Sequence, residues 1–415
     1  MRLTVRAALL ADGRLLAPAA WSVAAGRTVA LEPAGSDAAL DAVLLPALVN
    51  AHAHLDLAGA QPIPARESFT DWLLGIGMAR GDARDVERQA GVEAAALAAR
   101  GVAAVGDIDA SGGRATRGRR AAAVDGRSYL EIVGVAAPSA RARLGESLEL
   151  CDRLGGAAEG LGLSPHAPYS VSAEVLPEIA RAARRRGLPL AMHLCETPEE
   201  TRYLLRGDGP FEGFLRTIGR GRPFDSPPGV RPLVYVDRAG LLEAGCVVVH
   251  GNDLDDDDVA LLAARRAPVV YCHGTHRHFD RPRHRLGELL AADVPVALGT
   301  DSGLSNSGVD LLRECARLCA DRADLDPLDV LRCATLGGRA ALRLPCEPAL
   351  LRPGSRADAL LLGPAPPDVE TRAPREVAAW AFSSAPRVLA TLHAGRIVAG
   401  ELALPAFLDT AEGHG

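Results

Sequence analysis

The hydrophobic positions of this chain follow two rhythms. Between about residues 45 and 300, short continuous apolar runs recur, each followed by a longer segment with apolar residues at helical spacing. The eight runs are Leu45–Val49, Val102–Asp107, Leu130–Ala136, Gly160–Ser164, Pro189–His193, Cys246–His250, Pro268–Cys272 and Pro295–Thr300. Helical segments between them include Asp85–Arg100, Ala173–Arg186, Asp255–Arg266 and Arg285–Ala292. Strands that are apolar throughout are covered on both faces, and their alternation with helices predicts a parallel sheet. Such a set suits a closed (β/α)₈ TIM barrel, in the α/β class, better than an open doubly wound sheet.

The flanks read differently. Leu3–Val5, Ala20–Val23 and Thr28–Leu31 predict short strands, punctuated by turns at Asp12-Gly13 and Ala25-Gly26. Ala359–Leu362, Val388–Leu392 and Arg396–Val398 predict three more, with His393-Ala394-Gly395 as a hairpin turn. Paired together, the two ends would make a small composite β-sandwich domain of residues 1–44 plus 350–405. Residues 45–349 would then be the barrel and 406–415 a C-terminal tail. Arg206–Gly229, rich in Gly and Pro, is expected to form a long loop over the barrel mouth. The Asp255–Asp258 run reads as a solvated helix N-terminus, where carboxylates suit the dipole.

Composition narrows the function. With 48% hydrophobic residues in 415, burying a core is no obstacle. A net charge of −6 argues against nucleic acid or an anionic membrane as partner and leaves a small molecule. No stretch reaches the ~18 uninterrupted apolar residues that a membrane span needs. The first apolar run is broken by Asp12 and Gly13, so no signal peptide is expected and the reading is cytoplasmic. Cysteines at 151, 195, 246, 272, 315, 319, 333 and 346 form no C-x-x-C pair and read as small buried hydrophobes. All 46 basic residues are arginine. The absence of lysine removes Schiff-base chemistry, a lysine general base and a carbamylated-lysine metal bridge.

Functional residues of (β/α)₈ enzymes gather at the C-terminal ends of the strands. Of eleven histidines, six stand there: His52, His54, His166, His193, His250 and His273. His276, His278 and His284 follow in the loop after the seventh strand, while His393 and His414 read as turn and tail residues. His52 and His54, at i and i+2 on an extended segment, point to the same side and can reach one ion. Imidazoles with a carboxylate suit Zn²⁺ or Fe²⁺ better than Mg²⁺ or Ca²⁺. A third histidine and an aspartate from other strands would complete an open site with a position for water. Each candidate has a plainer reading. His166 would either touch substrate or bond its own Pro-Tyr turn, and the His273–His284 loop would be substrate-facing, with His276 foremost, or merely solvated. Phe69 and Trp72 would wall a substrate ring or pack within a helix.

The chain resembles the amidohydrolase superfamily in "LLPALVNAHAHLDL", "SPHAPYSVS", "MHLCETPEE", "VVVHGNDL", "LGTDSGLSN" and, near the C-terminus, "LRPGSRADALLL". It is most similar to the cytosine-deaminase and triazine-hydrolase branch, which includes S-adenosylhomocysteine, guanine and aminodeoxyfutalosine deaminases. "FTDWL" and "THRHF" look most like the aminodeoxyfutalosine deaminase side. The resemblance implies metal ligands His52, His54, His193 and Asp301. It implies one divalent transition metal, zinc or iron, because the two-metal members need the lysine bridge this chain lacks. It assigns Glu196 as acid and base toward a substrate ring nitrogen. His250 would orient the attacking water, and Asp301 would accept its proton while also binding the metal. A homodimer is implied as well. Relatives commonly carry Pro-Arg or Pro-x-Ser-Asn after the seventh strand, where this chain reads Cys272-His273-Gly274-Thr275-His276, which leaves the substrate open.

The expected activity is an aminohydrolase that replaces the exocyclic amino group of a purine-like base or nucleoside by water and releases ammonia. Within the hydrolases, the alternative is displacement of chloride or an alkylamine from a triazine, or cleavage of a cyclic amide. A metal-free binding protein and a two-histidine, one-carboxylate iron oxygenase are the readings from other classes.

Overall fold

The structure is a computed structural model that describes residues 1–35, 39–66, 68–79, 85–306, 308–344 and 350–400. The expected tail 406–415 with His414, the last residues of the composite domain (401–405) and Cys346 lie outside the described residues. The chain divides into two compact units. One comprises Met1–Asn50, Ala95–Ala104 and the chain from Asp310 onward, and the other Ala51–Ala94 and Val105–Val309.

Strands β1 (Arg2–Leu9), β2 (Leu15–Leu16), β3 (Ala19–Ala24), β4 (Arg27–Pro33) and β5 (Leu40–Pro46) come from the N-terminal end. Eight barrel strands follow: β6 (Leu48–Ala53), β7 (Val102–Asp109), β8 (Asp125–Ile132), β9 (Leu161–Pro165), β10 (Leu190–Leu194), β11 (Cys246–His250), β12 (Val269–Tyr271) and β13 (Val296–Leu298). The chain closes with β14 (Ala359–Gly363), β15 (Arg387–His393) and β16 (Arg396–Gly400).

Both chain ends enter one eight-stranded sheet, ordered β16-β15-β14-β5-β1-β3-β4 with β2 beside β1. The two ends meet where β14 runs antiparallel to β5, Leu361 opposite Leu44. Apolar residues of the sheet, among them Leu3, Val5, Trp21, Leu44, Leu361 and Leu392, form one buried cluster. The predicted turn closes β15 onto β16 with Ala394 and Gly395 both at positive φ, the backbone a tight hairpin requires.

The barrel strands pair in sequence order from β6 to β13. From β8 to β13 each strand runs parallel to the next, for example Met192 of β10 opposite Val248 of β11. First and last strands meet as well, since Thr300 N and Asp301 N each lie 3.0 Å from the His52 carbonyl. Gly299 is required at this seam, because a Cβ there would stand 2.8 Å from the His52 Cβ. The α/β barrel with a composite β domain is therefore observed.

Three boundaries depart from expectation. The run expected as Leu45–Val49 is two strands, β5 and β6, separated by Ala47, so the H-x-H pair begins on the barrel strand itself. The third barrel strand starts and ends earlier than Leu130–Ala136. Arg206–Gly229 is not one long loop, because Pro210–Thr217 is helical with Pro210 in the first turn and Phe211 and Leu215 buried. Among the described residues, no helix is long and apolar enough to cross a membrane.

Candidate metal centre and substrate cavity

The strand ends bring four predicted ligands together. His52 is fully buried, and its ring lies 4.9 Å from that of His54 and 5.1 Å from that of His193, centroid to centroid. Nitrogens of His52, His54 and His193 all stand within 4.8 Å of one another, as do the donor atoms of His52, His250 and Asp301. Asp301 Oδ1 is 3.7 Å from His52 Nε2 and 3.6 Å from His54 Nε2. Several of these residues leave their strands abruptly: φ is +76° at His250, +57° at Asp301 and +52° at Cys195. Non-glycine residues in this left-handed region cost about 1–3 kcal/mol each, and such cost concentrates at functional sites.

The site fits a cation. His193 Nδ1 is 3.0 Å from the His166 carbonyl, which can only accept, so Nδ1 carries the proton and Nε2 the lone pair. That Nε2 faces His54 Nε2 at 3.2 Å. Two imidazoles on one tetrahedral zinc, each ~2.0–2.1 Å from it, place their nitrogens ~3.3 Å apart. Both ring nitrogens of buried His52 lack a hydrogen-bond partner among the described residues, a costly state for an apolar setting unless an ion is held there.

The remaining groups are set around this point. Asp301 Oδ2 accepts from Thr275 Oγ1 at 2.9 Å and Ser305 Oγ at 3.2 Å, and Oδ1 accepts from the Ser302 amide at 2.8 Å. Burial pushes the Asp301 carboxyl up, yet the His52, His54 and His250 imidazoles hold it well below the usual carboxylate range. Burial drives His193 down to about 3 and His250 well below the usual imidazole range, so both rings are neutral. Glu196 is the opposite case. Its buried carboxyl, 3.7 Å from His250 Nε2, is pushed well above the usual range by desolvation, with Arg281 acting against it. A carboxyl kept protonated beside neutral imidazoles is a proton donor in waiting.

Sequence reasoning missed what holds Glu196. The Cys195 and Glu196 amides donate to the two carboxyl oxygens of Glu200 at 3.1 and 3.0 Å. Asn252 Nδ2 donates to the Glu196 carbonyl at 3.2 Å. Glu200 is itself buried, which raises its carboxyl to about 8. The signal was present as a second carboxylate four residues after Glu196, on the helix Pro198–Arg206 that Thr197 caps.

A cavity of about 470 Å³ opens onto these groups. His54, His193, Glu196, His250 and Asp301 line its polar end, and Phe69, Trp72, Leu73, Ile76, Phe214 and Leu215 its apolar side. Phe69 and Trp72 stack at 5.8 Å, and the Arg281 guanidinium stands 5.4 Å from the Phe69 ring centre. His166 also lines the cavity, with Nδ1 2.7 Å from Ser170 Oγ. His276 is not among the residues that line this cavity: it stands on the helix His273–His278, its Nδ1 3.2 Å from Asn252 Oδ1. Glu131, which sequence reasoning passed over, is on the wall.

A (β/α)₈ barrel whose strand ends converge three imidazoles and an aspartate on one point, with a protonated glutamate alongside, defines a metal-dependent hydrolase of the barrel type. Comparison with known proteins specifies it further. The chain belongs to the Amidohydrolase family, whose sequence pattern matches residues 43–398. It is 29% identical over 330 residues to an aminodeoxyfutalosine deaminase of Deinococcus radiodurans, covering 74% of this chain and 75% of that protein. A 5-methylthioadenosine/S-adenosylhomocysteine deaminase of Pelotomaculum thermopropionicum is 31% identical over 241 residues, 56% of this chain and about half (51%) of that relative's length. An adenosine deaminase of Xanthomonas campestris, crystallised with bound zinc, shares the fold with TM-score 0.76 at 22% identity, covering 96% of this chain and 92% of that one.

Proposed function

We propose that this chain is a mononuclear metal-dependent aminohydrolase that replaces an exocyclic amino group of a purine-like base or nucleoside by water, releasing ammonia. The observation that carries the reading is the pairing of a buried Glu196, its carboxyl pushed above the usual range by desolvation, with a buried His250, its ring pushed below the usual range, 3.7 Å apart, beside the His52, His54, His193 and Asp301 cluster. His52, His54, His193 and Asp301 would hold a divalent ion, which when bound would make water acidic enough to supply hydroxide near neutral pH.

The rest is the work of the chain's own side chains. Attack on a C–NH₂ carbon destroys ring aromaticity unless the adjacent nitrogen is protonated. Glu196 supplies that proton, a transfer worth ~10²–10⁴-fold. His250 holds the attacking water by its neutral ring; ionised Asp301 takes the water's first proton and passes it to the departing amino group, while the Glu196 carboxylate takes the second as C–OH becomes C=O and ammonia leaves, so both side chains return to their starting states. Thr275, Ser302 and Ser305 fix the Asp301 oxygens so that one edge faces the histidines. The apolar side, with Phe69 and Trp72, receives the flat ring, and His166 meets its edge.

The same reading takes zinc as the ion, supported by the imidazole-rich donor set and by the zinc in the Xanthomonas neighbour. It takes the cytoplasm as the place, supported by seven described cysteines that are all free thiols. A homodimer is the form the family resemblance implies, with residues 45–349 as the catalytic barrel. The test is ammonia release across aminodeoxyfutalosine, adenosine, S-adenosylhomocysteine, methylthioadenosine, guanine, cytosine and aminotriazines, with chloride and alkylamine measured alongside. Stoichiometric ammonia from a purine substrate is expected. Chloride or alkylamine from a triazine without ammonia from any purine would replace this reading with the triazine one.

A further inference from the structure

Two buried histidines that follow the seventh barrel strand take no part in the chemistry above. His276, on the helix His273–His278, is 6% exposed, and His284, a few residues beyond it, is 1% exposed. Each bonds toward one of the two residues that handle protons beside the metal ligands. His284 Nε2 lies 3.1 Å from the His250 carbonyl, and its ring stacks on Tyr271 with centroids 4.0 Å apart. A carbonyl only accepts, so His284 carries a proton on Nε2. His276 reaches Glu196 through Asn252. Asn252 Nδ2 donates to the Glu196 carbonyl at 3.2 Å, which leaves Asn252 Oδ1 facing His276 Nδ1, also at 3.2 Å. An amide oxygen accepts in turn, so His276 carries a proton on Nδ1.

We infer that His284 and His276 are positioning residues: His284 fixes the backbone of His250, and His276, by orienting the Asn252 amide, fixes the backbone of Glu196. The inference rests on the deaminase reading for what His250 and Glu196 do. Both backbones need holding. φ is +76° at His250, and +52° at Cys195, the residue before Glu196. Non-glycine residues persist in this left-handed region only where the surrounding structure over-determines them. Backbone bonds tie the two segments to each other: the Gly251 amide donates to the Leu194 carbonyl at 3.1 Å, and the Asp253 amide to the Cys195 carbonyl at 2.8 Å. The His284 and His276 bonds add a second anchor, to the segment after the seventh strand. Reacting groups misplaced by an ångström lose rate steeply, so anchors that never touch substrate still act on kcat.

The test compares the zinc-loaded full chain with two pairs of variants. His284→Phe keeps a ring against Tyr271 and His276→Phe keeps a ring in place, but each loses its N–H donor. His284→Gln and His276→Asn return an amide N–H near the lost Nε2 and Nδ1. Both kcat and KM for ammonia release are read on the fastest of the purine substrates named above, with bound zinc measured alongside. The phenylalanine variants should lose about 10–100-fold in kcat with KM and zinc content little changed, and the amide variants should recover most of that loss. Unchanged kcat in the phenylalanine variants, or a loss that the amide variants share in full, would overturn the inference. Nitrogen NMR spectra of the wild-type imidazoles need neither a substrate nor a variant that folds. They should show protons on His276 Nδ1 and His284 Nε2, and a bare nitrogen at either place would overturn the inference as well. Both protons in place with no ammonia from any purine would support the anchoring and remove the deaminase reading instead.

Discussion

The two sides of one cavity are built on different terms. At the polar end, His52, His193 and Asp301 are carried on or directly after barrel strands, and each is locked by a second group: the seam to Thr300, the His166 carbonyl, or the Thr275 and Ser305 hydroxyls. The apolar side comes from segments between strands, chiefly the helices Phe69–Ala79 and Pro210–Thr217, whose side chains meet mainly by apolar area. Geometry fixed by strand ends serves bond-making, which fails when atoms are misplaced by an ångström. Area serves recognition, and tolerates exchange. Substitutions at the two sides should therefore fail differently, in rate at one and in affinity at the other.

The largest effect expected is from Glu196→Gln, which keeps the shape and loses the proton. Its kcat should fall ~10²–10⁴-fold or more while metal content stays at the wild-type level. Near-normal turnover would take Glu196 out of the mechanism. Asp301→Asn should reduce both metal retention and rate, and a change confined to KM would show that Asp301 belongs to the recognition side after all. Glu200→Gln replaces an acceptor of two amides by a group with one acceptor oxygen, so Glu196 should drift and kcat fall ~10–100-fold with the metal retained, as for other supporting contacts.

The Glu200 pair also carries a pH signature. Because its carboxyl is raised from 4.5 to about 8, the folded state holds the proton more tightly than the unfolded chain between those values. That stabilisation is complete below about 4.5 and is lost as pH rises toward about 8. Urea unfolding at several pH values should show wild type losing stability relative to Glu200→Gln across this window; a constant difference would mean Glu200 does not titrate there. Smallest of all, Phe214→Ala should remove about 1–2 kcal/mol of apolar contact with the substrate, raising KM about tenfold and sparing kcat. A fall in kcat without a change in KM would erase the contrast between the two sides.

The same contrast explains what was legible in the sequence. Cys246–His250 was readable to the residue because an unbroken β-branched run ends in a histidine, a glycine and an asparagine. The strand-end chemistry followed, because position along a barrel strand determines which way a side chain faces. The first barrel strand was misplaced because β5 and β6 are both buried and only Ala47 parts them, leaving no polar punctuation. The helix Pro210–Thr217 was hidden by its Gly and Pro neighbours, although Phe211, Phe214 and Leu215 carried helical spacing and Pro210 suited a first turn. Glu131 was overlooked as one acid in the run Leu130–Ala136. A charge inside a strand covered on both faces is the signal that would have marked it. His276 reads as a substrate contact on a loop in sequence, but in the fold it stands on the helix His273–His278 with Nδ1 3.2 Å from Asn252 Oδ1.

Zinc titration of the chelated full chain, with ammonia release followed on an aminopurine nucleoside, tests the central claim most directly. The account predicts that activity rises linearly and saturates at one equivalent per chain, with one ammonia formed per nucleoside consumed. Saturation only at two equivalents, or turnover indifferent to added metal, would contradict it.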